Sequence, residues 1–188
     1  MQLDDAIRGR RSVRLFKDEP VDPQVVRELI DLAIDAPSSH NAQPWHFFVA
    51  TGEIRDRACE ILSQTTLYYE EYLESLPDEQ AETTLAFFAS LGDAPVIIAV
   101  TLPSNDERLD QINACVAAGG AIQNLQLAAY ERGLGCCNIT FSFWVRDELS
   151  ELLGVAEDRE IVSLVVLGVP AETPQDRGRD TDVVTFLD

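Results

Sequence analysis

The stretch from Leu109 to Arg132 limits this chain more than any other. It contains no proline, carries apolar residues at helical spacing and meets a stop signal at Gly133, so it reads as one long helix. Ala114, Ala117, Ala118, Gly119, Gly120 and Ala121 leave part of its surface almost free of side chains, and Ile122, Leu125 and Ala128 extend the apolar face. Two glycines inside a helix cost about 1 kcal/mol each relative to alanine. Close approach of another backbone would offset that cost. The helix could lie beneath a sheet of its own chain or against a second subunit, and the residues alone leave both open.

The segments around it alternate between helix and strand patterns. Asp22-Pro23 is a capping residue followed by a first-turn proline, and Val25, Val26, Leu29, Ile30 and Ala33 continue at helical spacing. Trp45 to Ala50 reads as a short strand, Ile54 to Gln64 as a helix, and Pro95 to Val100 as a strand buried on both faces. Cys136 to Thr140 and Ile161 to Leu167 read as two more strands, separated by a short helix ending near Gly154. Residues 66–90 are polar, helix-prone and rich in Glu and Tyr, a variable region suited to a lid. Residues 171–188 read as an extended tail. No internal repeat or low-complexity run interrupts the chain, which predicts a single α+β domain over residues 1–188.

Charge narrows the partners. Against 33 acidic residues stand 14 basic ones, a net charge of −19 that would repel nucleic acid. Lys17 is the one lysine; the other basic residues are arginines. That balance suits a strongly saline cytoplasm, where the Debye length falls to about 3 Å at 1 M salt, the plainer alternative being a merely acidic mesophilic protein. The opening Met1-Gln2-Leu3-Asp4-Asp5 lacks the pattern of a secretory leader, and no apolar run approaches the ~20 residues of a membrane span. Cys59, Cys115, Cys136 and Cys137 lack paired zinc spacing, which predicts reduced thiols in a cytoplasm. A vicinal redox pair at Cys136-Cys137 is the alternative.

Two short segments carry the chemistry. Arg10-Arg11-Ser12-Val13-Arg14 gathers three guanidinium groups and a hydroxyl, donors suited to a phosphate and to an electron-rich ring edge. Ala36-Pro37-Ser38-Ser39-His40-Asn41-Ala42-Gln43-Pro44-Trp45-His46 is a turn-forming run that enters a strand. Each has a plainer reading. The arginines could pair with Asp4, Asp5, Asp18 and Glu19 in a solvated network. Ser38, Ser39 and Asn41 could be ordinary turn formers. His46 reads as a strand residue, and Trp45 and Trp144 as packing residues.

Taken in order, these segments resemble the nitroreductase family of FMN-dependent oxidoreductases over essentially the whole chain. Three later segments complete the match: Gly119-Gly120-Ala121-Ile122-Gln123-Asn124-Leu125, Gly133-Leu134-Gly135-Cys136-Cys137, and Leu167-Gly168-Val169-Pro170-Ala171-Glu172 ahead of Arg177 and Arg179. The resemblance implies a nitroreductase-like α+β fold, a central, mainly antiparallel sheet flanked by helices. It also implies an intertwined homodimer with FMN in two interface clefts. By the same resemblance Arg10, Ser12, Arg177 and Arg179 would hold the FMN phosphate, with Arg11 contributing through backbone or side chain. Arg14 would sit by the flavin pyrimidine edge. Pro37, Ser38, Ser39 and Asn41 would pack on the flavin of the partner subunit, and Asn138 to Phe141, chiefly Ile139 and Thr140, would aim a main-chain amide at flavin N5.

The implied activity is hydride transfer from NADH or NADPH through FMN to a small acceptor such as a nitroaromatic, quinone or enone. No GxGxxG element is present, so the nicotinamide would stack on the flavin directly. Two alternatives are a flavin-fragmenting enzyme of dimethylbenzimidazole synthesis and a non-catalytic flavin-binding or redox-sensing protein. Two departures stand out. Where many members place a polar or cationic residue, this chain has Ala86-Phe87-Phe88-Ala89-Ser90. Tyr69, Glu70 and Tyr72 echo the Glu and Tyr of the deiodinase branch, but no lysine follows Lys17, so that activity is not expected.

Overall fold

The computed structural model describes residues 1–68, 77–176 and 178–187. Among them, four strands form one sheet: β1 (His46–Ala50), β2 (Val96–Pro103), β3 (Gly135–Ile139) and β4 (Arg159–Gly168). Their order is β1-β2-β4-β3, and each neighbouring pair is antiparallel. The β2–β4 register runs from Val96 opposite Leu167 to Pro103 opposite Arg159, with a shift between Val100 and Thr101.

Six helices accompany the sheet among the described residues: α1 (Leu3–Gly9), α2 (Pro23–Ala33), α3 (Gly52–Ser63), α4 (Asp78–Ser90), α5 (Arg108–Glu131) and α6 (Arg146–Leu153). Helix α2 starts as its sequence predicts. The Asp22 side chain accepts a hydrogen bond from Gln24 N at 2.8 Å, and Pro23 occupies the first turn, where its missing N–H costs nothing.

Side chains alternate along β2, and both of its faces are buried. Val96, Ile98 and Val100 join Val165, Leu167 and Cys136 on one face, packed against Leu29 and Ala33 of α2 and Ala121, Leu125 and Ala129 of α5. Ile97 and Ala99 join Leu164, Val166 and Cys137 on the other, against Leu62 of α3, Phe87 and Phe88 of α4 and Leu149 of α6. Helices therefore cover both sides of the sheet, which is why β2 reads as an unbroken apolar run.

Helix α5 lies beneath the sheet of its own chain, with Ala117, Ala118 and Ala121 buried there. A Cβ at Gly120 would reach Ala36 Cβ at 3.5 Å, an ordinary contact, whereas one at Gly119 would meet no atom within 4 Å. Leu109, Ile112 and Val116 lie on the same outer stripe as Gly119, spaced three or four residues apart, and Val116 is 72% exposed. The small residues thus serve the sheet, while an apolar stripe remains on the helix's other side.

Within the region read as a lid, residues 78–90 form α4, and its Phe87 and Phe88 enter the core with ring centroids 5.5 Å apart. Tyr69, Glu70 and Tyr72 lie outside the described residues, as does Arg177. No helix among the described residues is long and apolar enough to cross a membrane.

Candidate functional site

The segment following α1 runs as an extended arm held by main-chain bonds at Val13, Leu15, Phe16 and Lys17. Val13 N donates to Cys136 O (3.0 Å), Phe16 N to Gly92 O (2.8 Å) and Lys17 N to Val169 O (2.9 Å). Ser12 bridges Cys136 in parallel sense and Phe16 bridges Pro170 in antiparallel sense, so the arm covers the outer edge of β3. Val13 and Phe16 turn inward and are buried, while Arg14 turns out. Gly92 makes the crossing possible. Its φ is +63°, and a Cβ there would stand 1.9 Å from Arg14 O.

That arm forms one wall of a cleft of about 760 Å³, within the size range of small-molecule sites. Arg10, Arg11, Ser12 and Arg14 come from the arm; Cys137 to Phe141 come from the end of β3 and the turn after it. Thr83, Thr84, Phe87 and Phe88 come from α4, and Glu172, Pro174, Gln175 and Arg179 come from the C-terminal segment. Guanidinium groups from the two ends of the chain therefore meet at one cavity, with aromatic rings on its other side. Phe88 and Phe141 pack edge to face at 5.7 Å.

Arg10 supplies the most telling detail. Its Nε is buried and finds no hydrogen-bond partner among the described residues. Buried donors are nearly always satisfied, and an orphaned one costs about 1–3 kcal/mol, so a site that leaves a guanidinium nitrogen open fits an absent acceptor. A phosphate is such an acceptor. Arg11 behaves differently. Its guanidinium donates to Arg8 O and Arg10 O and pairs with Asp176 at 2.7 Å, so it braces the arm against the C-terminal segment. Among the described residues, neither Arg10 nor Arg14 forms an ion pair with Asp4, Asp5, Asp18 or Glu19; Glu19 pairs with Lys17 at 3.8 Å. The solvated-network reading therefore fails for those two arginines.

Ile139 is buried and its carbonyl accepts from Ser163 Oγ at 3.1 Å, whereas Thr140 is exposed at the cleft as the chain leaves the strand. Pro37, Ser38, Ser39 and Asn41 do not line this cleft. They lie in or beside a 3₁₀ turn at Ser39–Asn41, before β1. His40, Asn41 and Gln43 all have positive φ (50°, 56° and 46°), a rare conformation outside glycine. Two anchors hold this strained turn. Ser38 Oγ accepts from Gln43 N at 2.9 Å, and Arg159 donates to Pro44 O at 2.7 Å. Arg159 also donates to Thr101 Oγ1 and Thr101 O, and burial lowers its pKa against the opposing charge of Asp158.

The two adjacent cysteines point to opposite faces of the sheet: Cys136 packs with α2 and α5, Cys137 on the cleft side. Burial pushes the Cys136 thiol up to about 12, helped by its neighbour. Burial also raises Cys137, against the pull of Arg14, the Ser12 hydroxyl and Arg10. Side chains directed to opposite faces cannot close a disulfide in this arrangement of the strand.

Sequence reading assigned no role to Thr83, Thr84, Gln175 or the Glu172 carboxylate. The threonines sit in a segment whose course cannot be read from periodicity, because it packs through a few residues at its C-terminal end. Glu172 stands at the end of the Gly168-Val169-Pro170 run, and its position there was the available signal.

Comparison with known proteins agrees with this geometry. A model of the nitroreductase family matches residues 7–169. The nitrobenzene nitroreductase of Ectopseudomonas oleovorans is 31% identical over 201 residues, covering 88% of this chain and 86% of that one. Among solved structures, the FMN-dependent nitroreductase NfnB from Mycobacterium smegmatis, in complex with NADPH, superposes with a TM-score of 0.77 at 22% identity, covering 98% of this chain and 97% of that one. A BluB-like flavoprotein from Clostridium difficile 630 superposes with a TM-score of 0.79 at 23% identity, covering all of both chains. The chain has a nitroreductase-like α+β fold, and by the extent of these matches it belongs to the nitroreductase family of enzymes.

Proposed function

We propose that this chain is an FMN-dependent NAD(P)H oxidoreductase that reduces a small acceptor, such as a nitroaromatic, quinone or enone, and works as a homodimer. One observation carries the reading: the buried, unpartnered Arg10 Nε at a cleft where both ends of the chain bring guanidinium groups together. Bound there, FMN would supply the hydride-accepting ring between the nicotinamide and the acceptor.

The chain's own residues divide the work. Arg10, the Ser12 hydroxyl and Arg179 hold the phosphate, each charge-assisted contact contributing about 1.5–3 kcal/mol. Arg177 is proposed to join them. Arg11, committed to Asp176, keeps the arm in place. Arg14, exposed at the cleft, supplies positive charge where the reduced ring carries negative charge. Ile139 and Thr140 offer main-chain N–H groups, and Phe87, Phe88 and Phe141 keep water from the ring.

The homodimer reading draws on two apolar surfaces that nothing among the described residues covers: Leu109, Ile112 and Val116 on α5, and Val184, Phe186 and Leu187 near the C-terminus. Seated against a partner, they would also bring Pro37, Ser38, Ser39 and Asn41 to its cofactor. The acidic, nearly lysine-free composition suggests a saline cytoplasm, and unfolding temperatures that rise steadily with molar KCl would support that part.

The test is a double variant. Arg10→Ala with Arg179→Ala should give a folded, colourless protein, because two phosphate contacts are lost while the core is untouched. Undiminished FMN retention would sink the phosphate assignment.

A further inference from the structure

We propose that Glu172 is a positioning residue that clasps the N-terminal arm to the C-terminal segment and so sets where Arg14 and Arg179 stand at the cleft. Its carboxylate oxygen accepts from two consecutive main-chain amides, Arg14 N at 2.5 Å and Leu15 N at 3.1 Å. These residues are more than 150 positions apart in the chain.

The setting explains why a side chain does this. Lys17 N donates to Val169 O and Ala171 N donates to Leu15 O, both at 2.9 Å, while Phe16 bridges Pro170. That short ladder ends at Ala171. Among the described residues Arg14 N and Leu15 N make no main-chain bond there, and the Glu172 carboxylate takes both.

The charge itself is informative. Among the described residues, Glu172 lines a cleft whose other ionic side chains are Arg10, Arg11, Arg14 and Arg179. A carboxylate there opposes an anionic ligand, so binding such a ligand is not what this side chain does. Bonds from N–H to an ionised acceptor are roughly twice as strong as neutral ones, which is the gain if the group's task is to fix the arm. Seven residues after Glu172 comes Arg179, so the clasp also marks where the C-terminal segment enters the cleft. The effect on cofactor affinity rests on the FMN reading; the clasp does not.

The experiment compares wild type, Glu172→Ala and Glu172→Gln by amide hydrogen exchange on the cofactor-free protein, FMN titration and thermal unfolding. In Glu172→Ala, exchange at Arg14 and Leu15 should quicken at least tenfold while β2 and β4 amides keep their protection. FMN should bind at least tenfold more weakly, with Glu172→Gln, which keeps an acceptor oxygen, falling between. Unchanged exchange at the two amides, or exchange quickened uniformly across the sheet, overturns the clasp. Faster local exchange with FMN affinity unaltered overturns its role in the site. If wild type takes up no FMN but the local exchange result holds, the cofactor reading falls and the clasp stands. Should Glu172→Ala not fold, Glu172→Asp, a methylene shorter, decides by the same two amides.

Discussion

Replacing Gly92 by alanine should damage the cleft without substituting any residue proposed to bind there. Gly92 is buried, has φ of +63° and sits where the N-terminal arm crosses α4's end; an added Cβ would lie 1.9 Å from Arg14 O and 2.7 Å from Arg14 C. Two costs combine. The left-handed backbone costs a non-glycine residue about 1–2 kcal/mol. The overlap costs about 1–3 kcal/mol more, because the obstacle is backbone and must retreat by roughly 1 Å. The Phe16 N to Gly92 O bond (2.8 Å) resists that retreat. A total near 2–5 kcal/mol corresponds to a Tm fall of about 4–20 °C for a chain of this size. Displacing Arg14 and its neighbours by that distance should also weaken FMN binding at least tenfold. Thermal unfolding and flavin titration of the purified variant measure both. Wild-type Tm together with wild-type FMN affinity would refute the claim that the arm is held at this crossing.

Arg159→Ala should remove the donor shared by Thr101 Oγ1, Thr101 O and Pro44 O, costing about 2–3 kcal/mol, and should make the 37–44 turn a site of faster proteolysis. An unchanged cleavage rate would mean that the turn is held by other contacts. Val116→Arg should leave the folded chain nearly as stable, within about 0.5 kcal/mol, because the residue is 72% exposed, yet shift light-scattering mass from dimer to monomer. A dimer that survives this change does not use the outer stripe of α5. Burial holds Cys136 in its thiol form far above neutral pH, since its pKa stands at about 12, so alkylation at pH 8 should require unfolding. Rapid labelling of Cys136 in the native protein contradicts that burial.

Much of the fold could be read from the residues because the elements carry local signals. Asp22-Pro23 marks the start of α2, Gly133 and Gly154 mark helix ends, and the apolar run at 96–100 marks a central strand. Helix α1 escaped notice because it has seven residues and buries Ala6 alone, too little for a period to show. Helix α4 falls within the stretch read as helix-prone, but its polar length conceals two phenylalanines that anchor one end in the core. The arginines of the arm were legible as a set, since three in five residues is unusual in so acidic a chain. Their division of labour was not. Arg10 is left open while Arg11 is tied to Asp176, a difference set by contacts some 165 residues distant in sequence. Glu172's bonds are non-local in the same way.

The most direct measurement of the central claim is the visible spectrum of the purified protein, taken before and after anaerobic addition of NADH or NADPH. An FMN-type absorption that bleaches on a catalytic timescale and returns when a small acceptor is added is the predicted result. A protein that stays colourless even after incubation with FMN, or a bound flavin that neither nucleotide reduces, would contradict the account.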